Sequence, residues 1–344
     1  MPMPFVSPAS NPALTVLPYA LWTAQEAPPT AWTQALQAAP LPNLLAWVTQ
    51  SQRRVEAQTP TTGGAPARLA LPHEQIQAQA LGWQVAEGCL PWAALRATEL
   101  GLEAQELASD SPAAWGFISL CHWQVSHGQV TLGDPAHLAL DDSEDERLFL
   151  AMRGFFAEDG LTLYRDVPGR WLVRGPCLVD LPTASLDRVI GRNIDPWLVG
   201  GDAPSGAAKL LRRLQNEMQM LLYTHAVNEH RTLSVNSFWL HGTGALPPTH
   251  VSSPGSVHVV SSLRDSALQQ DLMTWLAAWQ RIDADVLGPL RAAADQGQPQ
   301  RLILCGEHAH HVYDSTRSNP WQRLRRHFNP LRLDAVLAVT APKE

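Results

Sequence analysis

Lysine is nearly absent from this 344-residue chain: of its 25 basic residues only Lys209 and Lys343 are lysines. Any chemistry that needs an internal catalytic lysine has a single candidate. No stretch approaches the ~18 uninterrupted apolar residues of a membrane-spanning helix, and the first thirty residues lack a basic start followed by an apolar run. Neither a span nor a secretory signal is therefore expected, and the cytoplasm is the expected location, with no membrane partner. The four cysteines, Cys89, Cys121, Cys177 and Cys305, lie far apart and form no CxxC, which argues against a zinc knuckle and a disulfide framework. They read as core thiols. A formal charge of −7 leaves no basic surface overall, so nucleic acid is not an expected partner. What the chain has in quantity is apolar side chain, 45% against 17% charged, enough to bury one or two cores without cross-links.

The pattern along the chain predicts an α/β protein. Leu14-Thr15-Val16-Leu17, stopped by Pro18, suits a first buried strand, and a helix opens after Pro42 with Leu44, Leu45 and Val48 on one side. Thr59 to Pro66 reads as a flexible loop, and Leu71 to about Asp110 as mostly helical, with Trp83 and Trp92 as anchors. An α+β stretch follows. Strands are predicted over Trp115 to Val125 and Gln129 to Leu132, turning at Ser126-His127-Gly128. A capping box of Ser143 and Glu146 precedes a helix carrying Leu148, Met152, Phe155 and Phe156, and Leu161 to Arg165 with Arg170 to Arg174 form a hairpin. Beyond residue 180 strands and helices alternate. Ser205 caps a helix with Leu211, Leu214, Met218 and Leu221; Val235 to Leu240 is a strand ending in the loop His241-Gly242-Thr243-Gly244; Leu268 to Val286 carries a long apolar stripe; and Arg301 to Cys305 is another buried strand. This alternation implies a parallel sheet with its functional edge at the strand C-terminal ends.

Several clusters could carry chemistry. Glu307, His308, His310, His311 and Asp314 directly follow a buried strand and could hold a divalent metal, manganese or zinc; the other reading is a solvated histidine-rich loop that holds none. Cys121-His122-Trp123 with His127 reads as packing and turn chemistry. The glycines of the 242–244 loop could let backbone N–H groups approach an anion, or be plain turn residues. Asp187-Arg188 and Gly191-Arg192 place two guanidinium forks near a linker, where they suit phosphate or carboxylate, or a structural ion-pair loop. Acidic residues 141 to 146 match a helix N-terminus. Arg317, Arg323, Arg325, Arg326 and Arg332 surround Trp321 and Phe328 and form either a solvated terminal helix or a docking segment for an acidic protein partner.

Leu181 to Asp195, Leu214 to Leu222, His225-Ala-Val-Asn228 and Val235-Asn-Ser-Phe-Trp-Leu-His-Gly-Thr-Gly244 together resemble the RpfE-type regulatory proteins of proteobacteria, often labelled cofactor-independent phosphoglycerate mutases. The resemblance spans roughly residues 115 to 330. That family is similar, more remotely, to archaeal-type phosphoglycerate mutases of the alkaline phosphatase superfamily, whose Asn-x-x-Trp-x-x-Gly-x-Gly stretch is matched in spacing by Asn236, Trp239, Gly242 and Gly244. The resemblance implies an alkaline-phosphatase-like, mostly parallel sheet flanked by helices. Residues 1–114 would be the N-terminal part of that domain with a helical segment, 115–180 an inserted α+β domain, and 181–344 the remainder. It also implies two divalent metals, a phosphorylated serine nucleophile, an active-site lysine, and arginines and histidines on phosphoglycerate. This chain departs from the pattern. No aspartate occurs before Asp110, so the metal ligand that closes the first strand is missing; Thr23 is the only hydroxyl close behind that strand; Glu307-His308 stands where an Asp-His pair is usual; and between Thr249 and Asp265 only His258 and Asp265 offer ligands. The expectation is a regulatory or phospho-ligand-binding pseudoenzyme with a degenerate phosphoryl-transfer site, with Arg188, Arg192, Asn236, Gly242, Thr243 and Gly244 on a phosphorylated small molecule. The alternatives are an active phosphatase or mutase with a metal site rebuilt from residues 307 to 314, and an interaction module using the basic C-terminal segment.

Overall fold

The computed structural model describes residues 12–24, 34–36, 38–57, 68–102, 114–126, 128–201, 205–248, 250, 257–315 and 332–340. The chain folds as two units, one from residues 1–60 with 251–344, the other from 61–250. In chain order the strands are β1 (Ala13–Leu17), β2 (Trp22–Ala24), β3 (Gln52–Ala57), β4 (Ala114–Cys121), β5 (Trp123–Ser126), β6 (Gln129–Leu132), β7 (Thr162–Val167), β8 (Arg170–Gly175), β9 (Ser237–Gly244), β10 (Val257–Val259), β11 (Gln300–Cys305), β12 (Ala309–Asp314) and β13 (Ala338–Thr340). The longer helices are α1 (Pro42–Gln50), α2 (Pro72–Ala80), α3 (Trp92–Glu99), α4 (Asp142–Glu158), α5 (Gly206–Tyr223), α6 (Leu272–Ile282) and α7 (Gly288–Asp295). None of the helices among the described residues is long and apolar enough to cross a membrane.

The first unit bears out the α/β class. Its sheet runs β10-β1-β11-β12-β3; β1 lies parallel to both neighbours, and β12 and β3 add an antiparallel edge. The β-branched, apolar run of β1 sits where a strand must be buried on both faces, and Val16 and Leu17 are fully buried. Leu302, Leu304 and Tyr313 from the sheet pack with Leu44, Trp47 and Val48 of α1 and Trp275, Trp279 and Ile282 of α6. The predicted stripe from Leu268 to Val286 is broken: between α6 and α7 the backbone widens into a π-helical turn, Asp283–Leu287. The turn aims a carboxylate at a helix that cannot cap itself. The N-cap position of α1 is Leu41, which has no side-chain oxygen. Asp283 supplies it instead, accepting from Leu44 N–H at 2.7 Å, Asn43 N–H at 3.1 Å and Asn43 Nδ2 at 3.1 Å.

The second unit is built on the antiparallel sheet β7-β8-β4-β9. Alternation splits its residues between two faces. Ile118, Leu120, Trp171, Val173, Phe238 and Leu240 meet α4 and α5 through Leu148, Met152, Phe156, Leu211, Leu214 and Met218. Trp115, Phe117 and Leu172 face the alanines of α3. Ser205 caps α5 as its sequence predicts. The box at the start of α4 is Asp141 with Glu144, not Ser143 with Glu146: Asp141 is extended and takes the Glu144 N–H at 2.8 Å, whereas Ser143 is already helical. Asp145, 1% exposed, ties the β7–β8 hairpin to α4 by accepting from Arg165 Nε, Gly169 N–H and Trp171 Nε1 at 2.7–2.8 Å.

Two expectations change here. The single strand predicted from Trp115 to Val125 breaks at His122, and β5 pairs only with β6 in a separate ribbon. The strand predicted over 235–240 continues through His241-Gly242-Thr243-Gly244 and pairs antiparallel with β4, so it belongs to this sheet and not to a parallel one. Glycines read as a loop because they usually end strands; here they carry a register shift opposite Trp115 and Phe117, with φ of +64° at Gly242 and +140° at Gly244. A Cβ at Gly242 would meet the Phe117 ring at 3.0 Å. Because β9 edges this sheet and α5 packs on it, the unit extends well beyond residues 115–180. The loop reading at 59–66, His127 and Arg317 to Arg326 lie outside the described residues.

Replacing Asp283 by alanine leaves the first turn of α1 without its acceptor. It is expected to lower the stability of the first unit by about 2–4 kcal/mol in urea titrations, against less than about 1 kcal/mol for the exposed Asp285→Ala two residues on.

Candidate functional site

A set of polar side chains in the second unit gathers where three separate segments meet: residues 69–92, residues 181–188 and β9. Each is held by bonds that a buried backbone demands. Thr183 N–H donates to Gly88 O at 2.9 Å, and Ser185 N–H to Leu69 O at 3.0 Å. Trp239 Nε1 donates to Ala184 O at 3.0 Å, Thr243 Oγ1 to Leu181 O at 2.6 Å, and the Thr183 and Thr243 hydroxyls lie 2.9 Å apart. Between them is a recess of about 20 Å³ lined by Glu74, Trp92, Thr183, Ser185, His241 and Gly242. That is room for about one water molecule. In its lining Trp92 Nε1 is buried without a hydrogen-bond partner, and the Ser185 hydroxyl faces the Glu74 carboxyl.

The electrostatics follow from burial. Glu74 has its carboxyl pushed up to about 7, chiefly by desolvation; the bond it accepts from Leu71 N–H at 2.7 Å opposes this, and the nearby Asp187 adds to it. His241 is pushed down to about 4 by burial, with Asp187 opposing and Arg170 assisting, so its imidazole is neutral at pH 7. Because residues 119 and 241 face the same side of paired strands, Ser119 Oγ lies 2.9 Å from His241 Nε2. A serine beside a neutral imidazole is the start of a nucleophilic pair, but Ser119 is only 2% exposed and does not line the recess. No substrate reaches it by that route.

The residues named from sequence divide around this recess. Gly242 lines it, and Arg188 and Thr243 bond to the segments that frame it: Thr243 Oγ1 donates to Leu181 O, and Arg188, 1% exposed, donates from Nη2 to Ala70 O at 2.7 Å with the Glu74 carboxyl in its field. Gly244 packs against Pro91. Asn236 is elsewhere, its carboxamide clasping Trp123 by accepting from N–H at 2.7 Å and donating to C=O at 2.9 Å. Arg192 turns towards the β5–β6 ribbon, where its carbonyl accepts from Leu132 N–H. The set read as one anion site is thus split, and its buried arginine sits beside two carboxyl groups. Glu74, Ser185 and Ser119 are not among the sequence candidates, because they lie on segments far apart in the chain that meet only in the fold.

The metal candidates lie in the first unit. His310 and His311 are successive residues of β12 and point to opposite faces. His310 Nε2 pairs with Glu56 at 3.3 Å; His311 Nε2 accepts from Arg53 at 3.1 Å; Asp314 takes Arg54 at 3.0 Å and Arg301 at 2.5 Å; His308 pairs with its neighbour Glu307 at 3.1 Å. Burial and Arg53 hold His311 down to about 4. No group of three or more His, Cys, Asp or Glu side chains among the described residues is placed to hold a metal ion. At the end of β1, where the resemblance implies a carboxylate, Ala20 and Leu21 N–H both donate to Cys305 O, and a Cβ on Gly306 would meet Leu21 Cβ at 3.0 Å. The described residues do not fit a two-metal centre.

No family model and no curated protein matches this chain. Among solved structures it is similar to a cofactor-independent phosphoglycerate mutase from Thermoplasma acidophilum, at 15% identity and a TM-score of 0.35 over 90% of this chain and 94% of that one. It is also similar to the PH0037 protein from Pyrococcus horikoshii, at 11% identity and a TM-score of 0.43 over 91% and 92%. Likeness at this level transfers neither an activity nor the role of any residue.

Glu74 links the recess to pH. A carboxyl raised from 4.5 to about 7 in the folded chain binds a proton that the unfolded chain has released, so its burial costs stability progressively as pH rises from 4.5 to about 7. Glu74→Gln removes that term. In urea titrations the midpoint of the variant, relative to the natural protein, is expected to rise across this range and level off above about pH 7.5; a constant difference would show that Glu74 is not the titrating group.

Proposed function

We propose that this protein is a regulatory or ligand-binding protein of phosphoglycerate-mutase-like ancestry whose phosphoryl-transfer centre has decayed. The observation that carries this reading is the closed end of the parallel strands. Doubly wound sheets do their chemistry in a crevice at the strand C-termini, and here the turns after β1 and β11 are bonded to each other through Ala20, Leu21 and Cys305. A phosphoryl-transfer site with two metals needs several carboxylates and imidazoles converging on one point. The histidines and the aspartate of β12 are instead engaged by neighbouring strands, His310 by Glu56, His311 by Arg53, and Asp314 by both Arg54 and Arg301. The sequence agrees, since no aspartate precedes Asp110.

The second reading, an active metal-dependent phosphatase or mutase, requires Glu307, His308, His310, His311 and Asp314 to leave these partners and gather. His308, 49% exposed, is the member with most freedom to do so. The two readings separate in one preparation. The purified full chain, dialysed without chelator, is expected to hold well below one equivalent of manganese or zinc, and to hydrolyse p-nitrophenyl phosphate no faster with added metal than without. Stoichiometric metal with hydrolysis that is abolished in His308→Ala would overturn the proposal.

A further inference from the structure

We propose that two copies of this chain pair through β3, joining their five-stranded sheets edge to edge in an antiparallel, two-fold dimer. β3 closes one side of the sheet β10-β1-β11-β12-β3, and among the described residues no strand pairs with its outer side. Residues Gln52 to Glu56 are all exposed. Such an edge presents a row of unpaired N–H and C=O groups, which proteins usually shield with a bulge, a proline or a very short strand. β3 has none of these devices: its six residues include no proline, and they follow β12 from Gln52 to Ala57 without a register shift. In the middle stands Val55, a β-branched apolar side chain that is 53% exposed.

The charges on β3 select the occupant. In an antiparallel pair, opposed residues either both direct their backbone groups at the partner or both direct them away. Two copies related by a two-fold axis can therefore meet only with one residue opposite its own counterpart. Centred on Arg53 or Arg54, the pairing sets guanidinium against guanidinium; centred on Glu56, it sets carboxylate against carboxylate. Centred on Val55, it lays valine against valine and places Arg54 opposite the partner's Glu56, twice over by symmetry. Arg54 and Glu56 share one face of the strand, and both side chains are more than half-exposed. Their contacts within the chain leave room for this pairing, since Arg54 holds Asp314 through Nη2 and Glu56 meets His310 through Oε2, one atom of each group. An unrelated extended peptide would gain the same backbone bonds; a second copy of β3 brings the reciprocal charge match as well.

The inference is independent of the lost phosphoryl chemistry, and its failure leaves that reading untouched. Sedimentation velocity of the full chain between about 1 and 200 μM is expected to show the mass rising towards twice that of one chain. Arg54→Glu and Glu56→Arg, each alone, set like charges opposite one another and are expected to weaken self-association about tenfold or more, at an unchanged thermal midpoint. Mixed in equal amounts, the two variants carry complementary strands and are expected to associate again, which a merely local disturbance in either would not produce. If either variant does not fold, Val55→Lys, which opposes like charges at the axis, is read for the same loss. A natural chain that stays monomeric over the whole range, association undiminished in the variants, or folded variants that fail to associate on mixing would each overturn the proposal.

Discussion

Buried polar groups must find partners inside the protein, and in the second unit that requirement decides the course of residues 181–188. This segment forms no long helix or strand. It is held because several of its polar atoms complete other segments: Thr183 and Ser185 donate from N–H to Gly88 and Leu69, Ala184 accepts from Trp239, and Arg188 satisfies the Ala70 carbonyl. Removing any one leaves a buried group unpaired, which costs more than the bond itself is worth. Arg188 is therefore placed by what it does for residues 69–74, and the geometry that makes it indispensable to the fold also withdraws its fork from solvent. The recess beside it is what remains when three segments meet by hydrogen bonds and not by side-chain volume.

Charge obeys the same rule in the first unit. The antiparallel edge β12–β3 brings a strand rich in His and Asp against one carrying Arg53, Arg54 and Glu56, in a register that sets His310 opposite Glu56 and places His311 diagonal to Arg53. Each histidine and acid of β12 is matched locally, by a residue of β3 and, for Asp314, by Arg301 of β11 as well. A metal would have to displace these partners and also rotate residues from both faces of the strand to one point. The Arg54–Asp314 pair is half-exposed and contributes little to stability; what the ladder does is orient imidazole and carboxylate side chains away from a common centre.

How far the sequence revealed this depends on the range of the interaction. Patterns that need only near neighbours were legible: the β-branched run of β1, the 3.6-residue stripe of α5 with its Ser205 cap, and the β7–β8 hairpin with its Pro-Gly turn. What failed needed a distant partner. Gly242 and Gly244 look like a loop until Phe117 and Pro91 are known to lie against them. Leu41 predicts a helix with no cap until Asp283, some 240 residues on in the chain, is seen to lie against it. Gln52 to Ala57, polar along its length, carries no strand signal by burial, and becomes one because β12 offers an edge. The metal cluster after Cys305 was legible as composition and misleading as geometry, because an alternating strand separates residues that are adjacent in sequence.

The closed end of β1 has a local cost that bears on its meaning. Tyr19 adopts φ of +58°, a conformation unfavourable for a residue with a bulky side chain. A strain on the order of 1–3 kcal/mol persists only where the surroundings compensate for it. The compensation is visible: the left-handed turn delivers Ala20 and Leu21 N–H to the Cys305 carbonyl, at 2.8 and 3.1 Å, and turns the Tyr19 carbonyl to accept from Trp275 Nε1 at 3.1 Å. Strain at a strand end commonly serves to hold a reactive group in position. Here it brings backbone to backbone and fills the place where a crevice would open, with Leu21 against Gly306. The strained turn at Tyr19 is offset by the rigid sheet terminus that these bonds make.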